Sequence, residues 1–225
     1  MMVPPLIVER ALLAGLDLLG VTDHNSGENA AAVAQAAENS GVKVLPGMEV
    51  ESREGVHILT LFDGVEALGK WQEIVYSALP NRENNERVFG AQLVVGAEGQ
   101  LLGVNRRLLL TSVDLSLEEV TRLARDLGGF CMPAHVDRPA YGLLAVLGLL
   151  PLEIDTPALE ISSRLTPEEA VRLHPSLAGR TLVRSSDAHT LDEIGKVSTA
   201  FTVEESSVAE VALACRGKQG RLVVA

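Results

Sequence analysis

Histidine and carboxylate stand together in short polar breaks at the ends of apolar runs. The segments are Thr22-Asp23-His24-Asn25, Glu49 followed by His57, Pro133-Ala134-His135-Val136-Asp137-Arg138, and Ser186-Asp187-Ala188-His189. These side chains are the ligands of zinc, manganese and iron. Water bound to such an ion loses a proton near neutral pH and can attack an ester. The pattern points to a metal-dependent hydrolase whose ligands come from distant parts of the chain.

Spacing sharpens the candidates. Asp187 and His189 are two residues apart, so in an extended segment they face the same way, roughly 6.6 Å apart. Cys131 and His135 are four apart in a predicted strand, roughly 13 Å, too far to share an ion, which leaves Cys131 to the core. His174, in Arg172-Leu173-His174-Pro175, ends a helix without an acidic neighbour and reads as structural. Asp23 reads as support for a ligand, or as a turn hydrogen bond, rather than as a ligand. Asp137 has Arg138 beside it as an ionic partner. Glu160, a carboxylate inside the apolar strand Leu159-Glu160-Ile161, needs a partner if buried, so it supports a ligand or forms a buried salt bridge.

Strand-length apolar runs alternate with amphipathic stretches of helix length. Strands are predicted at Leu16–Thr22, Val42–Glu51, Val56–Phe62, Gly129–His135, Ala158–Ser162, Thr181–Ser186 and Ser198–Val203. Helices are predicted at Pro4–Ala14, Glu28–Ser40, Val65–Leu79, Leu117–Leu127, Ala140–Gly148, Pro167–Leu173 and Ser207–Arg216. Ser116 and Thr166 carry helix-start signals, the latter with proline at the first helical position. The alternation predicts a mostly parallel sheet wrapped by helices, open or closed into a barrel. Residues 80–114 break the rhythm and read as an inserted polar loop with a hairpin around Gly96–Gly99, within one domain spanning 1–225. In such folds functional groups gather at the carboxyl ends of strands, where His24, Glu49, His135, Asp187 and His189 all fall. His57 begins a strand instead. A tight return through Arg53-Glu54-Gly55 would bring it beside Glu49. The chain opens on a helix where an alternating unit would open on a strand, so a fold lacking its first strand is expected.

Composition narrows the setting. A chain of 225 residues with 47% apolar residues can bury one large core. No apolar run is long enough to span a bilayer, and the start lacks the pattern of a signal peptide. Two cysteines in apolar settings fit a reducing cytoplasm. The apolar pattern gives no membrane partner, and a net charge of −11 argues against a broad grip on nucleic acid, so no extended nucleic acid is expected. A phosphate substrate is still compatible with that charge, because bound cations invert the local field. Arg82, Arg87, Arg106 and Arg107 read either as a solvated surface or as a substrate-facing patch.

The stretches from Gly15 to Asn25, Leu45-Pro46-Gly47-Met48-Glu49, Val56-His57-Ile58-Leu59, Pro133 to Arg138, and Ser186-Asp187-Ala188-His189 resemble, in order, the PHP family, named for polymerase and histidinol phosphatase domains. The resemblance implies a distorted (β/α)7 TIM-like barrel, here without its first strand, holding up to three divalent metals (zinc, manganese or iron) and fewer in this chain. By the family pattern Glu49, His57 and His135 complete one site, Glu49 bridges to a second served by Asp187, and His24 and His189 serve a third. The family's first motif, His-x-His, would precede Pro4, and a chain without it is expected to hydrolyse phosphomonoesters weakly or not at all. The function expected is a metal-dependent phosphoesterase acting on a small phosphomonoester or nucleotide. Arg138 is expected to clamp phosphate, or else to pair with Asp137. The alternatives are a non-catalytic PHP-like binding or regulatory module and an exonuclease. An oligomer is compatible with all three.

Overall fold

The computed structural model describes residues 2–151 and 154–224. Helix α1 (Pro4–Leu13) leads into strand β1 (Leu18–Val21), helix α2 (Glu28–Ala36), strand β2 (Lys43–Glu51) and strand β3 (His57–Leu61). Helix α3 (Val65–Ala78) follows, then the short helix α4 (Glu86–Phe89) and strands β4 (Leu93–Val95) and β5 (Leu101–Val104). Next come α5 (Leu117–Asp126), β6 (Phe130–Pro133), α6 (Leu143–Leu147), β7 (Leu159–Ile161) and α7 (Pro167–Leu173). The chain ends with β8 (Leu182–Arg184), β9 (Ala200–Thr202), α8 (Val208–Cys215) and β10 (Leu222–Val224).

The fold is mixed α/β, and the expectation of a mostly parallel sheet needs correction. The four-stranded sheet runs β1-β2-β3-β6, with β1 and β2 parallel but β3 antiparallel to both its neighbours. The cause is the return between β2 and β3. Ser52 N–H donates to Val56 O, Gly55 N–H donates to Ser52 O, and Gly55 takes φ +84°. So short a connection can join only antiparallel neighbours. Strands β7 and β8 form a parallel pair, β9 and β10 an antiparallel one, and β4 and β5 the hairpin expected around Gly96–Gly99. Among the described residues these remain separate sheets, so the expected TIM-like barrel is not closed.

Side-chain alternation along β2 and β3 separates two apolar layers. Met48, Val50, Ile58 and Phe62 face outward against Trp71 and Val75 of α3 and Val120 and Ala124 of α5. Leu45 and Leu61 face the other way, with Phe130, Met132, Ala158 and Val183, and meet Val208, Val211 and Cys215 of α8. Glu49 and Glu51 share the face of Leu45, so the polar groups of β2 open at the end of this inner layer. Both cysteines are buried, and burial pushes each thiol up to about 12, which keeps them as protonated core residues. The predicted capping signals are realised in full: Ser116 and Thr166 each form a reciprocal box with the glutamate three residues on.

Candidate metal centre

Four strand ends deliver the polar groups. At the end of β1, His24 forms a parallel bridge with Glu49: Glu49 N–H donates to Asp23 O at 3.0 Å and Asn25 N–H donates to Glu49 O at 2.9 Å. The hairpin register sets Glu51 opposite His57, which swings the His57 ring next to Glu49. His135 lies just past β6 at φ +29°, a conformation histidine rarely adopts. Its N–H donates to the buried Glu160 carboxylate at 3.0 Å, which holds that backbone in place.

Three imidazoles converge on the two oxygens of the buried Glu49. His57 Nδ1 lies 3.1 Å and His135 Nε2 3.2 Å from Glu49 Oε1, and His24 Nδ1 lies 3.3 Å from Oε2. His57 Nε2 is 3.8 Å from Glu51 Oε2 on its other side. Ligand atoms of His24, Glu49 and His57 all lie within 4.8 Å of one another. Two donors on one zinc ion, each about 2.1 Å from it in a tetrahedron, stand about 3.4 Å apart. The spacing therefore matches a coordination sphere. His57 Nδ1 is buried 3.1 Å from Glu49 Oε1 yet forms no hydrogen bond. An orphaned donor atom of this kind fits a divalent cation.

The electrostatics agree. Burial alone would raise the Glu49 carboxyl, but His135 and His57 beside it, with the charges of His57 and His24, hold it well below the usual carboxylate range. Burial would lower His57, yet the Glu49 and Glu51 carboxylates that flank it raise it to about 9. His24 is lowered by burial, and neighbouring His57 and His189 oppose the pull of Glu49. Without metal, then, a proton on His57 neutralises Glu49.

That proton makes a prediction for stability. The folded-state pKa of His57 lies above its ordinary 6.5, so its contribution is fully present below pH 6.5 and is lost as pH rises through about 9. The metal-free protein is expected to lose up to about 3 kcal/mol between pH 6.5 and 9.5, roughly 6–12 °C in Tm. Saturating zinc replaces the proton and is expected to flatten the profile. Thermal melts across this range, with chelator and with zinc, check it. A flat profile in chelator would show that His57 is neutral throughout.

The side chains of the remaining expected residues form other pairs, although His189 lies near enough to His24 to act on its charge. Asp187, at φ +47°, departs from the extended geometry assumed for Ser186–His189, and its Oδ1 lies only 3.8 Å from His189 Nδ1. The exposed His189 donates through Nδ1 to Asp187 O at 3.0 Å. Arg138 pairs with Asp187 and not with Asp137. Asp137 accepts instead from the N–H and hydroxyl of Ser162, both at 2.6 Å. Asp23 is exposed and accepts from Asn29 Nδ2 at 3.1 Å, so only its backbone touches Glu49. His174 closes α7, as its sequence suggested. Arg82, Arg87, Arg106 and Arg107 are all exposed, with Arg107 lying over the Tyr76 ring at 4.4 Å.

Sequence reasoning missed three groups. Glu51, held by Ser112 Oγ at 2.6 Å, flanks His57; its two-residue offset from Glu49 was the available signal. Asn25, at φ +48° and buried, donates through Nδ2 to Leu109 O and Thr111 O, both at 2.8 Å, tying the 80–114 insertion to the site. Tyr141 stacks on the His57 ring.

No protein-family profile and no curated protein sequence matches the chain. Solved structures do. The lesion-specific endonuclease PfuEndoQ from Pyrococcus furiosus is 21% identical with a TM-score of 0.67, over 99% of this chain and 53% of that one. Endonuclease Q in complex with a 27-mer duplex carrying an abasic lesion at the active site gives 21% and 0.68, over 98% and 53%. A two-domain protein from Bacteroides vulgatus containing a predicted PHP-like metal-dependent phosphoesterase gives 15% and 0.52, over 100% and 60%. The chain shares the PHP-like fold. It spans about half the length of the endonuclease chains it matches. The expectation, drawn from net charge, that this chain meets no extended nucleic acid is corrected by the likeness, because Endonuclease Q, a chain of similar fold, holds a 27-mer duplex. Net charge averages over the surface, whereas a substrate meets only the site. Among the described residues no helix of this PHP-like chain is long and apolar enough to cross a membrane.

Proposed function

We propose that this chain is a metal-dependent phosphoesterase acting on a phosphoester of a nucleotide or of nucleic acid. The observation that carries the reading is the convergence of His24, His57 and His135 on the two oxygens of buried Glu49. In this reading Glu49, His57 and His135 hold one divalent cation, and His24 faces the second Glu49 oxygen. Zinc, manganese and iron all suit that donor set. Such a cation supplies Lewis-acid chemistry for phosphoester hydrolysis. The chain's own residues do the rest. Glu49 sets the spacing of the imidazoles, Glu160 fixes the His135 backbone, and Glu51 orients His57 from behind. Arg138, half-exposed on the loop after β6, offers a guanidinium to a phosphate oxygen once it leaves Asp187. The likeness to Endonuclease Q supports a nucleotide or nucleic-acid phosphoester.

The Arg138–Asp187 pair also favours a second reading, a non-catalytic binding module, because it ties up a carboxylate that the family resemblance assigns to metal. One experiment separates the two. The metal-free chain is loaded with zinc, manganese or iron and offered a phosphomonoester, a phosphodiester, nucleotides, and single- and double-stranded oligonucleotides with and without an abasic site. Metal-dependent turnover that falls at least about a hundredfold in His135→Ala, but not in His174→Ala, is the expected result. Stoichiometric metal binding without turnover of any substrate would establish the binding module instead.

A further inference from the structure

Tyr141 sits against the metal centre, and the function proposed above gives it no role. Its ring lies parallel to that of His57, with centroids 4.4 Å apart and an interplanar angle of 14°. One face of the phenol is therefore spent on the histidine. The residue is nevertheless 49% exposed. It also sits at φ +60°, which costs a non-glycine residue about 1–2 kcal/mol, so its surroundings must impose the conformation. The His57 N–H donates to Tyr141 O at 3.1 Å and pins the residue from below. Gly142 follows where any side chain would collide with the loop, since a Cβ there would lie 2.2 Å from Arg138 O and 2.8 Å from Arg138 N. Residues 138–142 thus form a tight arch that carries Arg138 at one end and Tyr141 at the other.

A ring that served only to cover His57 would be expected to bury itself. This one stands beside the candidate centre with about half of the residue open to water and one ring face not engaged by His57. Such a face is a platform on which a planar base stacks, whatever its identity, and stacking of this kind contributes about 1–3 kcal/mol per base. We infer that Tyr141 is a specificity-determining residue whose open face stacks on the nucleobase adjoining the phosphoester, while Arg138 meets the phosphate. The ligand is then a base-bearing phosphate, either a free nucleotide or a strand end. This rests on the phosphoesterase reading and names its substrate class.

The test measures binding in chelator, where nothing turns over, with two matched pairs of probes. Thymidine 5′-monophosphate is compared with deoxyribose 5-phosphate by calorimetry. An oligodeoxythymidylate is compared with an abasic strand of the same length by fluorescence anisotropy. The wild-type chain is expected to prefer the base-bearing member about tenfold in at least one pair. Preference in the first pair alone indicates free nucleotides, and in the second alone, strand ends. Tyr141→Gly, which accepts φ +60° without strain, is expected to equalise each pair within about twofold. Tyr141→Phe keeps the flat ring and is expected to retain the preference. Zinc content and Tm of both variants show that the cluster survives. Equal binding of both members by the wild type, binding of none of the four probes, or a preference that survives in Tyr141→Gly would each overturn the proposal. Metal-dependent hydrolysis is assayed in parallel. A base preference without hydrolysis would sink the phosphoesterase reading alone, and hydrolysis without base preference would sink only the role of Tyr141.

Discussion

Glu49→Gln is expected to empty the metal centre. Among the described residues its carboxylate is the only group that touches all three converging imidazoles, two on Oε1 and one on Oε2. A glutamine keeps the volume but removes the charge, and its amide nitrogen must point at one of these sets of ring nitrogens. That nitrogen carries hydrogens and has no lone pair to give a cation. The loss should exceed the roughly 10–100-fold that follows from removing an outer-shell partner of a metal site. Zinc titration followed by elemental analysis of the dialysed protein reads this directly. A second signature is independent of metal. With Glu49 neutral, the larger of the two forces that raise His57 is gone, so the alkaline loss of stability in chelator should shrink or vanish. His174→Ala, altered at the end of α7, should keep wild-type metal content and the full pH profile. A Glu49→Gln protein that retained its metal would place the centre elsewhere.

The parts of this site that were legible in the sequence are those set by short-range geometry. A return of four residues from Ser52 to Gly55 forces Glu49 and His57 onto one hairpin, and the turn residues announce it. The same return also dictates an antiparallel partner. The period of alternating strands and helices hid that consequence, because the period says where strands lie and nothing about their direction. Ser116 and Thr166 stood out because a capping box is a three-residue signal. What stayed hidden depends on loop conformation. The predicted strands ran past Pro133 to His135 and past Arg184 to Ser186, whereas the backbone turns out of the ladder there, with His135 at φ +29° and Asp187 at φ +47°. Histidine and aspartate tolerate a positive φ better than most side chains, but only a small minority of them adopt it, so neither residue announces the turn. The pairing of Arg138 with Asp187 joins residues 49 positions apart through two such turns, so the adjacent Asp137 looked the better partner. Tyr141 fell inside a helix predicted from Ala140, although the helix begins at Leu143. Gly142 was the available clue, since it fits a turn better than a helix interior. Strand β10 and helix α4 are too short to impose a period on the sequence.

Gly47→Ala is expected to be the most damaging single methyl in the chain. Gly47 sits in β2 two residues before Glu49, and its backbone is not left-handed, so the argument is one of space alone. A Cβ at this position would lie 2.1 Å from Thr60 O and 2.9 Å from Leu61 Cδ2. A flexible side chain could retreat, but the Thr60 carbonyl cannot do so cheaply. Thr60 Oγ1 donates to Met48 O at 2.9 Å and accepts from the indole N–H of the fully buried Trp71 at 2.9 Å, so this residue is tied to both β2 and α3. Relief has to come from parting β2 and β3 near the point where Glu49 and His57 meet. Overpacking of this kind costs about 3 kcal/mol, roughly 6–12 °C in Tm for a chain of this size. The parting should also lengthen the Glu49–His57 approach and weaken zinc binding, an effect that loss of stability alone would not produce in the folded protein at low temperature. Gly69→Ala supplies the control of opposite sign. Gly69 lies exposed within α3, and its Cβ would meet nothing within 4 Å. Alanine there is expected to stabilise the helix by up to about 1 kcal/mol. Urea unfolding of the two variants, with zinc titration at 10 °C, separates the effects. If Gly47→Ala unfolded like wild type, the two strands would have more room than these distances allow, and the close approach that seats Glu49 against His57 would need another cause.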